Sequence, residues 1–290
     1  MNSRQSDEKA LSDKELEALI SLLEDTDEEV INHVEQRLLS LGEAVIPVLE
    51  RSWETQFNPI VQKRIEELIH SLHFDMMRSR LHGWLQGTNH DLLEGLWIIA
   101  TYQYPDLSRE ELEKQISDFV ELARANVKLE DTPREQVLAM NDLIFNKLKF
   151  SANTKNFHSA ANSMINLVLE SKKGNPIALC SVYLLISQRL GLPIFGVNLP
   201  NLFILTYKTR ETQFYVNAFN KGLIFTRSDI DNYIQHLNLS KNDIFYQPCT
   251  SLDIILRVLR NLMVSFEKTG QAEKVQEIEA LISLVEAASK

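Results

Sequence analysis

The chain has 290 residues, 44% of them hydrophobic and 24% charged, with a formal net charge of −10; this is the composition of a soluble globular protein of roughly two or three domains. The acidic balance, with no basic run longer than Lys172-Lys173, excludes a non-specific nucleic-acid binder, which needs clustered Lys and Arg against phosphates. The N-terminal stretch lacks the apolar core of a signal peptide and no apolar run approaches the ~18 residues of a membrane span, so no membrane association and a cytoplasmic location are expected. Cys180 and Cys249 fit reduced thiols better than a disulfide framework.

In chain order, residues 1 to about 12 are polar and expected to fray. Leu16, Leu19, Ile20 and Leu23 fall at helical spacing, Asp27 is placed to cap a helix carrying Val30, Val34, Leu38 and Leu41, and Gly42 ends it. Another helix follows through Glu54 with Pro47 near its start. The stretch LLEDTDEEVINHVEQRLLSLGEAVIPVLE resembles a HEAT-type repeat, and a weaker second copy begins at Asn58-Pro59. Two such units cannot bury a core by themselves, so this region is expected to lean on the domain C-terminal to it. Glu66, His70 and His73 share a helical face, with Asp75 and His82 farther on, but the spacing is not H-E-x-x-H and a solvated face is the preferred reading. No metal and no cofactor are expected.

Met76–Leu85 and Leu92–Tyr102 continue the helical pattern until Pro105 breaks it. Ser108 with Glu111 and Thr132 with Glu135 form two capping boxes, the second with proline at the first helical position. Residues 150–158 are polar and turn-like, and 160–170 are amphipathic. Asn175-Pro176 then marks a helix start, as cap and first residue, for a helix running to Leu190 that is apolar almost all round from Ile177 to Ile186. Such a helix is surrounded by protein. Short β-rich runs come next: Ile194–Leu199, Phe203–Tyr207, Gln213–Val216 and Leu223–Phe225. A helix from Ser228 to Ile234, a linker over 238–250, and two amphipathic helices, Leu252–Phe266 and Ala272–Ala287, complete the chain.

The segments Gly174-Asn175-Pro176-Ile177-Ala178-Leu179, Arg189-Leu190-Gly191-Leu192, Gly196 to Phe203 and Asn217-Ala218-Phe219-Asn220-Lys221-Gly222 resemble the transglutaminase-like core of the bacterial invasion-regulator SirB family, patterned G-x-P-x-x-L, R-x-G-L, G-V-x-x-P-G-H-F and D-P-F-x-x-G. The resemblance implies an α+β, predominantly helical fold: a reduced transglutaminase-like (papain-like) core with a small antiparallel sheet, flanked by helical segments. It divides the chain into a HEAT-like region (1–104), the core (105–238) and a tetratricopeptide-like helix pair (239–290). It also implies a Cys-His-carboxylate site whose members here read Pro176, Leu202 and Asn217, none of them able to do the chemistry. A helix N-terminus favours a thiolate, and proline has none; without a histidine base, Asn217 has nothing to orient.

Two residues offer an alternative chemistry. Cys180 lies one turn inside the helix among apolar neighbours, which raise rather than lower a thiol pKa, so an inert core cysteine is preferred over a nucleophile. His158 is the histidine close enough in sequence to act as a substitute base, and an ordinary loop histidine is its plainer reading. Phe195, Phe203, Tyr207, Phe214 and Tyr215 read as sheet core, or as the wall of a vestigial groove. No phosphate-binding glycine loop and no serine elbow are present. The expected function is therefore that of a non-catalytic, pseudoenzyme-like protein with a regulatory role. It would bind another protein or a peptide through Leu202, Phe203, Tyr215 and Asn217. The alternative is a weak thiol hydrolase, acyltransferase or peptidase using Cys180.

Overall fold

The structure, a computed structural model, describes residues 11–288; the expected fraying of the first residues lies mostly outside them. The chain divides into two compact units, Met1–Arg80 and Leu81–Lys290.

In the first unit, α1 (Asp13–Ser21) starts at a complete capping box between Ser12 and Glu15. Asp27 caps α2 (Glu28–Ser40) through the Glu29 N–H. Gly42, at φ +65°, makes the left-handed turn into α3 (Ile46–Thr55). These helices and the first turns of α4 (Pro59–Gln86) enclose Ile20, Leu23, Ile31, Leu38, Leu49 and Ile65. The helical pattern from Ile60 to Leu72 and from Met76 to Leu85 belongs to one helix: no proline or polar turn interrupts α4, which continues to Gln86. On the face that carries Glu66, His70 and His73, Glu66 accepts from the Trp53 indole at 2.9 Å.

The second unit begins with α5 (Leu92–Ala100), α6 (Arg109–Arg124) and α7 (Pro133–Asn141), the last running on through a π-helical stretch, Asp142–Lys147. The Thr132–Glu135 box is complete, whereas Ser108 accepts the Glu111 N–H while its hydroxyl turns to Glu110. Strand β1 (Ser151–Ala152) pairs in parallel with β2 (Lys173–Gly174), flanking α8 (Ile165–Ser171). The sequence reading has no such pair: two-residue strands carry no alternation to detect.

Helix α9 (Pro176–Arg189) lies at the centre. Every residue from Ile177 to Ser187 is buried, as its unbroken apolar surface requires. Its serines satisfy themselves on the preceding turn, Ser181 Oγ donating to the Ile177 carbonyl at 2.8 Å and Ser187 Oγ to that of Leu184 at 3.2 Å. Strands β3 (Ile194–Leu199), β4 (Leu202–Lys208), β5 (Gln213–Asn217) and β6 (Leu223–Phe225) form an antiparallel meander in that order. Alternation along these strands separates two layers. On one face β3 and β4 pack against α9; on the other Val197, Leu199, Ile204 and Tyr215 join Ile230 and Ile234 of α10 (Arg227–His236) and Tyr246. Helices α11 (Ser251–Lys268) and α12 (Ala272–Ala288) pack on each other, and α11 also packs on α5, α9 and β3.

This is the helical α+β fold expected, with the division elsewhere. Seven of the nine α5 residues are buried, and α5 packs against α8, α9 and α11. Residues 81–104 therefore belong with the core rather than with the N-terminal region, and the C-terminal helix pair is part of the same unit. The distinction is tertiary: α5 reads as one more amphipathic helix until its partners are known.

Candidate binding cleft

A cleft of about 270 Å³ opens at the start of α9, walled by Pro176 and Ile177, Phe157 and His158, Asn201 and Phe203, and one side of α11. Three asparagines build it. Asn175 caps α9 by accepting the Ala178 N–H at 3.0 Å and donates to Ser163 Oγ at 2.8 Å. Buried Asn162 donates from one amide nitrogen to the carbonyls of Asn156 (2.6 Å) and Phe157 (3.0 Å) and accepts from Asn153 at 2.8 Å. This network fixes the irregular loop that carries His158 to the cleft. Asn201 stands at the β3–β4 turn with φ +57°, a conformation asparagine tolerates better than most residues.

On the opposite wall, α11 presents Arg257, Asn261, Val264 and Ser265. Lys268 Nζ lies 2.6 Å from His158 Nε2. An ammonium group can only donate, so in this contact Nε2 is the acceptor. Arg257 donates from Nη1 to Asn198 Oδ1 at 3.0 Å and to the Leu199 carbonyl at 3.4 Å.

The structure brings together some of the residues the sequence singled out and separates others. Pro176, His158 and Phe203 line the cleft. Leu202 does not: it packs against the cluster of Val197, Ile204 and Tyr215 on the sheet face turned away from α9. Its neighbour Phe203 takes the near face because side chains alternate along a strand. Tyr215 is buried in that far cluster and donates to the Tyr246 carbonyl at 3.5 Å. Asn217 caps the turn that follows it by accepting the Asn220 N–H at 3.1 Å. Of the positions that the resemblance gave to the site, Pro176 lines the cleft and Leu202 and Asn217 do not, and of Leu202, Phe203, Tyr215 and Asn217 only Phe203 lines it. Among the aromatics, Phe203, Tyr207 and Tyr215 are core, while Phe195 is 38% exposed.

Neither thiol opens into the cleft. Cys180 is fully buried with its Sγ 3.6 Å from the Phe203 carbonyl oxygen, and burial pushes its thiol far above the ordinary range, only partly offset by the Ala218 backbone. Cys249 is held at β3 by its N–H to the Gly196 carbonyl at 2.9 Å; burial, with the Asp253 charge adding to it, pushes its thiol up to about 12. Both cysteines are free. The spacing in the sequence located α9 and its cap; Arg257, Asn261 and Ser265 were beyond its reach, because they come to the cleft from a helix remote in the chain.

Residues 110–260 match the transglutaminase-like superfamily. A protein of Xylella fastidiosa named only "UPF0162 protein" is 26% identical over 189 residues, covering 63% of this chain and 67% of its own length. Human "F-box only protein 21" is 25% identical over 244 residues, 73% of this chain but 38% of that protein. A "UPF0162 protein" of Vibrio cholerae is 24% identical over 135 residues, 46% of this chain and 50% of its own length. No solved structure matches the chain.

Proposed function

Because the chain belongs to the transglutaminase-like superfamily while proline fills the place the family resemblance gives to the nucleophile, we propose that it is a non-catalytic, SirB-type member that binds a polypeptide in the cleft beside Pro176. One observation carries the reading: Pro176 is the first residue of α9 and lines an open cleft from which both thiols are withdrawn. A proline N1 residue stabilises the helix start and offers no nucleophile. Losing one member of a catalytic set removes most of the rate the whole set provides. What remains is a concave surface of mixed polarity with a fixed floor, the kind of site that holds a segment of another chain. A regulatory role in the cytoplasm is the setting we assign to such a binder.

The alternative of a thiol hydrolase, acyltransferase or peptidase is disfavoured by the burial of Cys180, since the reactive species is the exposed thiolate. Panning a random peptide library against the protein tests the proposal. Enriched peptides should bind the cleft-filling variant Val264→Trp at least tenfold more weakly. Absence of enrichment, or undiminished binding to the variant, would overturn it, as would native Cys180 that alkylates rapidly near pH 6.

A further inference from the structure

The cleft is lined by His158 and Arg257 and by no acidic side chain, in a chain whose formal net charge is −10. Arg257 is the informative group. Its guanidinium is half-buried, yet both groups that it donates to are neutral, and both bonds leave from Nη1. Among the described residues no carboxylate pairs with it. Burial lowers its pKa first and the neighbouring Arg260 lowers it further, with Tyr233 offsetting part. Arg260 itself is paired, to Glu286 at 2.8 Å. A cation drawn partly out of water and facing only neutral acceptors and another arginine is short of its counter-ion, and ions in that position are normally compensated.

Resting on the reading that the cleft receives a polypeptide, we infer that its partner is an acidic segment, with one peptide carboxylate seated on the free edge of Arg257. The planar fork of a guanidinium takes a carboxylate through two parallel N–H bonds, and Arg257 retains Nε and Nη2 for them. A doubly charged phosphate would call for a second converging cation. The other one, Lys268, sits about three helical turns along α11, roughly 16 Å away by axial rise, and is engaged with His158. Between them Asn261 and Ser265 supply polar contacts and Val264 an apolar one, so that an extended acidic segment can lie along α11 with its anchor at the Arg257 end. The overall negative charge opposes such a partner only at long range, because at physiological salt charges beyond about 8 Å are screened.

The test uses the full-length protein and synthetic octapeptides drawn from an array, each offered with a central Glu or with Gln in its place, and with a free or an amidated C-terminus. The expected result is at least tenfold tighter binding of a carboxylate-bearing form than of its neutral counterpart; whether the Glu or the free terminus produces the gain identifies the source. Arg257→Gln should erase that gain, so that acid and neutral forms bind alike, and Arg257→Lys should keep part of it. Should Arg257→Gln fail to fold, Asn261→Asp supplies an internal carboxylate one turn along and should erase the gain in the same way. Equal binding of acid and neutral forms, an unaltered gain in these variants, or retention of inorganic phosphate without any preference among peptides overturns the carboxylate anchor while leaving polypeptide binding in place. Binding of no octapeptide in any form overturns both.

Discussion

Asn162 illustrates how one side chain shapes a site that it does not line. It is 2% exposed and donates to two loop carbonyls, those of Asn156, which also accepts from the Ser159 N–H at 3.1 Å, and Phe157. Asn162→Ala should lower stability by about 1–3 kcal/mol, through loss of the buried amide's hydrogen bonds at ~0.5–1.5 kcal/mol each, measurable as a shift of the urea midpoint. The thiols give a pH prediction at the same scale. Folded Cys249 keeps its proton to about 12, against an ordinary value of 9.0. The unfolded chain therefore binds fewer protons across that window, so the stability is whole below pH 9 and declines as pH rises through it. At pH 10 the loss from this group is about 1 kcal/mol, and buried Cys180 acts in the same direction. Comparing urea midpoints at about pH 7 and pH 10, Cys249→Ala should show a smaller decline than the wild type. The sequence marked Cys180 as inert from its apolar neighbours alone. It had no means of showing that Asn162 spans to the carbonyls beside His158, because the bonds of a buried amide depend on where the loop folds.

At the scale of elements, the β3–β4 hairpin decides what the site can be. The register pairs Leu199 with Leu202 and Asn198 with Phe203, which sends Leu202 to the α10 side and Phe203 to the α9 side. A histidine at position 202 would follow Leu202 away from Pro176. We therefore expect the combined variant Pro176→Cys, Leu202→His, Asn217→Asp to hydrolyse or transfer acyl groups no faster than Pro176→Cys alone; a tenfold or greater gain over the single variant would refute this placement of the strand. The strands themselves were legible as β-rich runs between turn signals, and α9 as an apolar helix with a marked start. Which side of the sheet each residue takes depends on register, since a shift of one residue exchanges the two faces.

At the scale of the molecule, the second unit is compact and includes α5. A fragment of residues 81–290 should fold and unfold in one transition by circular dichroism. A fragment of residues 105–290, cut at the boundary suggested by the sequence, should be largely unfolded or aggregated because it lacks the α5 residues Leu92, Leu93, Leu96, Ile98 and Ile99. Each buried aliphatic side chain of this size contributes about 1.5–3 kcal/mol, and five of them exceed what a marginally stable domain can lose. If 105–290 melts like 81–290, α5 is not part of the core.

The sequence by itself determined the helical α+β class, the caps at Asp27, Thr132 and Asn175, the burial of α9 and the proline that starts it, because caps, periodicity and residue chemistry are local properties. Only the tertiary structure decided that His158, Pro176 and Phe203 share a cleft with Arg257, that Leu202 and Tyr215 lie across the sheet from it, and that α5 completes the core. Those facts depend on strand register and on contacts between segments as far apart in the chain as Phe157 and Ser265, and no local pattern encodes them.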